Sequence, residues 1–238
     1  MSTSVDFESL YQGDLPDQGV MGQDGTIPWD IGEPQPVLVE LDKAGQLTSE
    51  ILDAGCGLGD NSLFLARNDY RVTGFDVSPT AIERARQRAA DAKAEPQFSV
   101  EDATRLDGLE QRFSTILDSA LYHCLDDQQR AEYAAALHRV TLPNAALHLF
   151  CVADVESAGL RMPIVVAPDN LRTNLGQYWD IQDISLTRYT SAFTRETLQQ
   201  LNPETTREMG FEVNVDDAQV DDSDRVLLPV WHLRAIRR

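Results

Sequence analysis

The stretch "ILDAGCGLGDNS", residues 51 to 62, decides how the rest of the chain is read. Residues suited to a buried strand run directly into three glycines spaced two apart, and the stretch closes on an acid, an amide and a hydroxyl. Glycine at such a turn permits positive φ and lets the backbone approach a ligand closely. The spacing is Asp53-x-Gly55-x-Gly57-x-Gly59, unlike the G-x-G-x-x-G of dinucleotide sites. A pyrophosphate on a helix N-terminus needs positive surroundings, whereas Asp53 and Asp60 put negative charge there. An amine or a sulfonium suits this loop better than a phosphate does.

The segments that follow repeat the theme. "GFDVSP" ends a second strand in Asp76, where a carboxylate can accept hydrogen bonds from both hydroxyls of a ribose. "VEDAT" ends a third in Asp102, placed to accept from an exocyclic adenine amine. Between them, "SPTAIERARQRAADAKA" reads as a helix with Ser78 as N-cap and Pro79 at its first position. "RFSTILDSA" and "AALHLFCVAD" read as further strands flanking the helix "DDQQRAEYAAALHRVT". Upstream, "PVLVELDKAG" has helical spacing and ends at Gly45. Beyond residue 155, "PDNLRTNLGQYWD" suggests a short helix, while "IQDISLTRYTSAF" and "RVLLPVWHLRAIRR" suggest strands joined by the acidic run "VDDAQVDDSD". Apolar strands alternating with helices imply an α/β fold with a parallel sheet covered on both faces.

At 238 residues the chain fits a single domain over 1–238, with a cover at 1–30, a ligand-binding core at 50–155, and sheet completion with substrate-side insertions at 156–238. Its three cysteines, Cys56, Cys124 and Cys151, are odd in number and lack a C-x-x-C pair, which argues against a disulfide framework or a zinc site. A reducing cytoplasm is the expected setting. The start "MSTSVDFESLYQG" does not read as a signal peptide, and no apolar run reaches the ~18 residues of a membrane span. With 39 Asp plus Glu against 20 Lys plus Arg, the formal net charge is −19. Such a field repels phosphate backbones and anionic lipid, so neither nucleic acid nor a membrane surface is expected as partner.

Taken in order, "ILDAGCGLG", "GFDVSP", "VEDA" and "STILDSALYH" resemble the class I S-adenosylmethionine-dependent methyltransferases over residues 50 to about 155. The resemblance implies a Rossmann-like doubly wound sheet of seven strands, mostly parallel with an antiparallel C-terminal strand, plus an N-terminal cover segment. It also implies S-adenosylmethionine as cofactor and S-adenosylhomocysteine as product. By this resemblance Asp53, Gly55, Cys56, Gly57, Gly59 and Asn61 surround the methionyl part, and Asp76 with Val77 and Ser78 takes the ribose. Asp102 and Ala103 take the adenine, and Asp118 lies beside the sulfonium. Cys56 reads as a small packing residue rather than a nucleophile.

Methyl transfer is an in-line displacement, so the acceptor dictates which residues are needed. Amino-methylating enzymes carry Asn-Pro-Pro-Tyr after the fourth strand; "DSALYHC" stands here instead. His123 follows that strand closely and could take a proton from a phenol-like hydroxyl, or orient it; His138 and His148 read as structural. Asp118 and Asp154 lie near strand ends, but Asp169 and Asn170 fall 15 residues later, so no metal is expected. "IPWDIGEPQP" is similar to the heterocyclic toxin methyltransferases, which O-methylate hydroxyquinoline-type compounds, and "PWD" also occurs near thiol and thiopurine methyltransferases. That likeness implies that Trp29 covers the cofactor, and that residues 1 to 28 form a lid over a small aromatic or heterocyclic acceptor. Tyr11, Tyr122, Met162 and Trp179 are candidate walls of its pocket. Thiol S-methylation, a protein acceptor, and a sensor that binds S-adenosylmethionine without turnover remain alternatives.

Overall fold

The computed structural model describes residues 6–13, 26–155, 159–201, 203–208 and 210–238. The part of the expected lid at 14–25 lies outside the described residues. After a short helix α1 (Phe7–Gln12) and α2 (Pro36–Lys43), the chain enters the alternation: β1 (Ile51–Ala54), α3 (Asp60–Arg67), β2 (Val72–Asp76), α4 (Pro79–Ala92) and β3 (Gln97–Val100). There follow β4 (Phe113–Ser119), α5 (Asp127–Val140), β5 (Thr141–Val152), β6 (Leu160–Arg161), α6 (Pro168–Leu175) and β7 (Trp179–Thr194). Helices α7 (Arg195–Gln200) and α8 (Pro203–Glu208), then β8 (Glu212–Val213) and β9 (Arg225–Arg237), complete the chain.

Seven strands form one sheet in the order β3-β2-β1-β4-β5-β9-β7. Neighbours among β1 to β5 are parallel, and β9 is antiparallel to both β5 and β7. The sheet is therefore the expected mostly parallel one with an antiparallel C-terminal strand. In β1 and β2 every residue is buried, because helices cover both faces. Alternate residues serve opposite cores. Leu52, Ile116, Leu147 and Leu149 pack with Tyr133 and Leu137 of α5, while Ile51, Leu117 and Phe150 pack with Leu38 of α2 and Leu65 of α3. Deleting such a wholly buried side chain, as in Leu137→Ala, costs about 2–5 kcal/mol.

Local chemistry sets the helix starts. Ser78 accepts from the Ala81 amide ahead of Pro79, and α4 buries the small residues Ala81, Ala85 and Ala89, which let it lie close to the sheet. Asp126 and Gln129 form a reciprocal capping box at α5.

The region beyond residue 155 is more structured than the acidic composition suggests. β6 and β8 form a separate two-stranded sheet, and Phe193, Leu198, Ala218 and Val226 build a small apolar cluster beside it. Register shifts in β7 between Ile181 and Asp183, and between Thr190 and Thr194, accompany its course past the sheet edge. Residues 189–192 thereby reach the N-terminal segment, where the Ala192 amide donates to the Pro28 carbonyl at 2.7 Å. No helix among the described residues is long and apolar enough to cross a membrane.

Candidate functional site

Parallel strands in register end along one edge, and here that edge gathers the motifs. Ala54 is level with Phe75 and Asp118, and Asp76 with Val100. In sheet order the edge presents Asp102 after β3, Asp76 at the end of β2, the glycine loop after β1 and Ser119 at the end of β4. Ligands of open α/β sheets sit beyond such carboxyl ends.

The loop is shaped for close approach. Gly55 and Gly57 have φ of +66° and +52°, and added Cβ atoms would lie 2.9 Å from Leu121 Cβ and 2.9 Å from the Tyr11 hydroxyl. Gly59 caps α3 in a left-handed conformation. Asp76 organises the turn, its two oxygens accepting from the Gly57 amide at 3.0 Å and the Ser78 amide at 2.9 Å. Burial raises its pKa. Asp53 is fully buried; Oδ2 accepts from Ser62 Oγ at 2.6 Å, while Oδ1 has no partner among the described residues. Burial pushes its carboxyl up to about 6. Asp60 is less free to repel an anion than its position suggests. Arg88 bridges it at 3.0 Å to Asp30 at 2.8 Å, although burial still lifts Asp60 to about 6.

Asp102 is exposed, with Oδ1 bound to the amide and hydroxyl of Thr104 at 2.9 and 2.6 Å. Val77 is 59% exposed and Val100 47%, an unusual display of apolar surface on either side of the β2 and β3 ends, while Ala103 is buried. Trp29 donates to the Tyr11 hydroxyl at 2.9 Å, so the N-terminal segment crosses the loop itself. Trp29, Cys56 and Asn61 line one cavity with the three glycines.

Several expected site residues lie elsewhere or are already occupied. Asp118 is wholly buried and holds the turn after β4: it accepts from the Leu121 amide at 2.9 Å, the Tyr122 amide at 3.3 Å and the Tyr133 hydroxyl at 3.0 Å. Burial raises its carboxyl to about 7. It faces protein donors rather than the cavity. The Ser78 hydroxyl donates to Glu8 at 2.5 Å, leaving it no proton for a ribose. Tyr122 is a core residue bonded to Asn170, and Met162 packs on the small cluster around Phe193. Trp179 opens β7, which runs parallel to β5, so it lies at the opposite, amino edge of the sheet in the core beside Leu175. Tyr11 is buried over Gly57 and belongs to the loop's cover rather than to a remote pocket wall.

His123 sits in a short 3-10 turn (Tyr122–Cys124) after β4, its ring half-buried and Nδ1 buried without a partner among the described residues. Burial, with the nearby Arg130 charge, lowers its pKa to about 4. The ring is therefore neutral near pH 7 and a weak base.

The cavity also contains residues the sequence reading did not single out: Asp30, Glu33, Gln35, Ser119 and Tyr189. Gln35 lies within the "PWDIGEPQP" stretch and Ser119 closes β4. Tyr189 carried no local signal, because a long-range strand pairing brings it in.

The sequence profile of a family described as a methyltransferase domain matches residues 51–144. Over 185 residues the chain is 34% identical to the 2-heptyl-1-hydroxyquinolin-4(1H)-one methyltransferase of Mycobacteroides abscessus, covering 76% of this chain and 79% of that one. It is 32% identical to a protein of known structure from work on conversion of a disulfide bond into a thioacetal group during echinomycin biosynthesis, with a TM-score of 0.77 over 97% of this chain and 91% of that one. It is 30% identical over 126 residues to the probable thiol methyltransferase 2 of Arabidopsis thaliana, covering 52% of this chain and 55% of that one.

Proposed function

This chain belongs to the class I S-adenosylmethionine-dependent methyltransferases, and on that premise we propose that it O-methylates a small molecule at a heteroaromatic or phenol-like hydroxyl. The observation that carries the acceptor class is the 34% identity to the hydroxyquinolone methyltransferase across three quarters of the chain.

The residues present fit the cofactor. A cavity lined by Trp29, the three glycines, Asn61 and Ser119 lies beside the loop, and Asp53, in the strand that leads into it, keeps a buried oxygen without a partner among the described residues. In this reading the loop from Gly55 to Gly59 and Trp29 hold the methionyl part, Asp76 the ribose hydroxyls and Asp102, with Val77 and Ala103, the adenine. When bound, S-adenosylmethionine supplies an electrophilic methyl group on a sulfonium. The protein's task is then to seat an ionised acceptor in line with that methyl and to exclude water. The buried Tyr11 and the half-buried Trp29 close the loop against solvent. In this reading His123, neutral and outside the lining of that cavity, is an orienting group rather than a strong base. An acceptor acidic enough to ionise near neutral pH, as N-hydroxy heterocycles are, needs no stronger base.

A sulfur acceptor is the second reading, favoured by the likeness to a thiol methyltransferase and to the protein of the disulfide-to-thioacetal conversion. Incubation with methyl-labelled S-adenosylmethionine and separate panels of hydroxyquinolones, quinols, aryl thiols and a basic protein tests both. Label transfer to hydroxyquinolones with the largest kcat/KM supports the first reading; transfer confined to thiols replaces it with the second.

A further inference from the structure

The glycine loop, α2 and β7 meet at a cluster of hydroxyls and amides in which the cofactor reading gives Ser119 and Tyr189 no task. Ser119, the last residue of β4, is half-buried and lines the cavity together with Gly55 and Asn61. Its Oγ accepts from Asn61 Nδ2 at 2.9 Å and lies 2.5 Å from the Tyr189 hydroxyl. For the Tyr189 proton, the alternative acceptor among the described residues is the Ser119 carbonyl, 3.5 Å away. Either hydroxyl can donate in the 2.5 Å contact; we take this shorter contact as the one that receives the phenol proton.

The proton count then decides where Ser119 points. A serine hydroxyl has one donor and two lone pairs. With Tyr189 as donor, both lone pairs are engaged and the Ser119 hydrogen is left free for a partner in the cavity that Ser119 lines. Asn61 and Tyr189 are themselves fixed. Asn61 Oδ1 accepts from the Gln35 amide at 3.0 Å, and the Gln35 side chain is clamped to Thr190 of β7 by bonds of 3.1 and 2.9 Å. Tyr189 is buried against Ile51 and Leu117. A hydroxyl that accepts two hydrogen bonds is polarised and donates more strongly.

We propose that the Ser119 hydroxyl donates to the ionised oxygen of the methyl acceptor, with Asn61 and Tyr189 as positioning residues that aim it. The inference rests on the hydroxyl-acceptor reading above. Displacement needs a deprotonated oxygen, yet the same cavity carries the carboxylates of Asp30, Glu33 and Asp60, which disfavour an anion. A dedicated donor offsets them. Ser119 also occupies the right place, one strand beyond the glycine loop in sheet order. On binding, the acceptor's hydroxyl proton leaves to water and the oxyanion is held, so its apparent pKa falls.

The test uses 2-heptyl-1-hydroxyquinolin-4(1H)-one as probe, with wild type, Ser119→Ala and Tyr189→Phe, each checked by thermal melting. Absorbance titration of the probe bound alongside S-adenosylhomocysteine reads its ionisation without turnover. Initial rates read kcat and KM across pH, and calorimetry reads S-adenosylmethionine affinity. Losing a hydrogen bond to a charged group should raise the bound probe's pKa by about one unit and lower kcat/KM by about 10- to 100-fold at pH values below it. Tyr189→Phe should shift both the same way by less, and S-adenosylmethionine affinity should stay within about twofold. An unchanged bound pKa in Ser119→Ala overturns the proposal. So does weakened S-adenosylmethionine binding with unchanged probe ionisation, which would assign the donor to the cofactor's carboxylate. If wild type methylates no hydroxyl compound at all, the acceptor reading fails and this inference fails with it, a result distinct from variants that merely match an active wild type.

Discussion

The Tyr11 hydroxyl stands directly over Gly57: a Cβ built on that glycine would lie 2.9 Å from the phenol oxygen. A residue from the N-terminal helix α1 thus sets the clearance above the loop that the sequence marks as the ligand seat. Gly57→Ala adds both this contact and the strain of a positive φ, and should cost about 1–2 kcal/mol of stability together with a measurable loss of S-adenosylmethionine affinity. Removing the oxygen with Tyr11→Phe in that background should recover part of the loss. A double-mutant cycle on melting temperature checks it, and strict additivity would show that the two residues do not touch.

Glu8 fastens α1 to the start of α4. Its carboxylate accepts from the Ser78 hydroxyl at 2.5 Å, the Thr80 hydroxyl at 2.6 Å and the Thr80 amide at 3.2 Å, and these bonds hold its pKa down at about 2. A carboxylate with a lowered folded-state pKa stabilises fully above its unfolded value near 4.5 and loses that contribution as pH falls toward 2. Glu8→Gln should therefore melt lower than wild type at pH 7, with the gap closing below pH 4.5. Limited proteolysis of the N-terminal segment at neutral pH should accelerate in the variant; equal cleavage rates would deny Glu8 this anchoring role.

His148 of β5 and His232 of β9 are diagonal neighbours across the ladder, with ring nitrogens 3.2 Å apart and Phe150, the residue paired with His232, stacked on it. Burial lowers their pKa values to about 4 and about 3. Neutral histidines with lowered folded-state pKa contribute fully above the unfolded value near 6.5 and lose stability as pH falls toward 4. Asp53 and Asp118, with raised pKa, act in the opposite sense over an overlapping range. The signature of the pair is thus a difference: wild type minus His232→Gln melting temperature should fall between pH 6.5 and 4. A difference that is flat with pH would mean the pair does not titrate as buried neutral rings.

His123→Ala should lower kcat several-fold while leaving S-adenosylmethionine affinity nearly unchanged. Because the ring is held near pKa 4, the pH–rate profiles of wild type and variant should keep the same shape from pH 5.5 to 8. A break near pH 6.5 present in wild type and absent in the variant would restore His123 as a general base.

Asp76→Asn keeps the size of the side chain but removes the charge that receives the Gly57 and Ser78 amides. S-adenosylmethionine affinity should fall by about 10- to 100-fold, as expected when charge-assisted hydrogen bonds are lost. Isothermal titration with S-adenosylhomocysteine checks this, and an affinity within twofold of wild type would remove Asp76 from the ribose site.

The sequence alone determined the α/β alternation, the carboxyl-edge location of the glycine loop, and Asp76 and Asp102 as the acids at neighbouring strand ends. Those features are local: glycine spacing, a capping serine and runs of apolar residues act within a few positions of themselves. Where the reading failed, the missing information was the direction of a side chain or the course of a distant strand. Asp118 shares its pattern with a ligand-facing acid, but its pleat turns it toward Tyr133. Trp179 looks like a pocket aromatic until strand direction places it at the amino edge. Ser119 and Tyr189 lie 70 positions apart, and only the passage of β7 past the sheet edge brings their oxygens within 2.5 Å. Motif spacing fixes what a loop can hold because backbone geometry is local; which groups face its contents depends on pleat, register and crossover, and those exist only once the whole sheet has assembled.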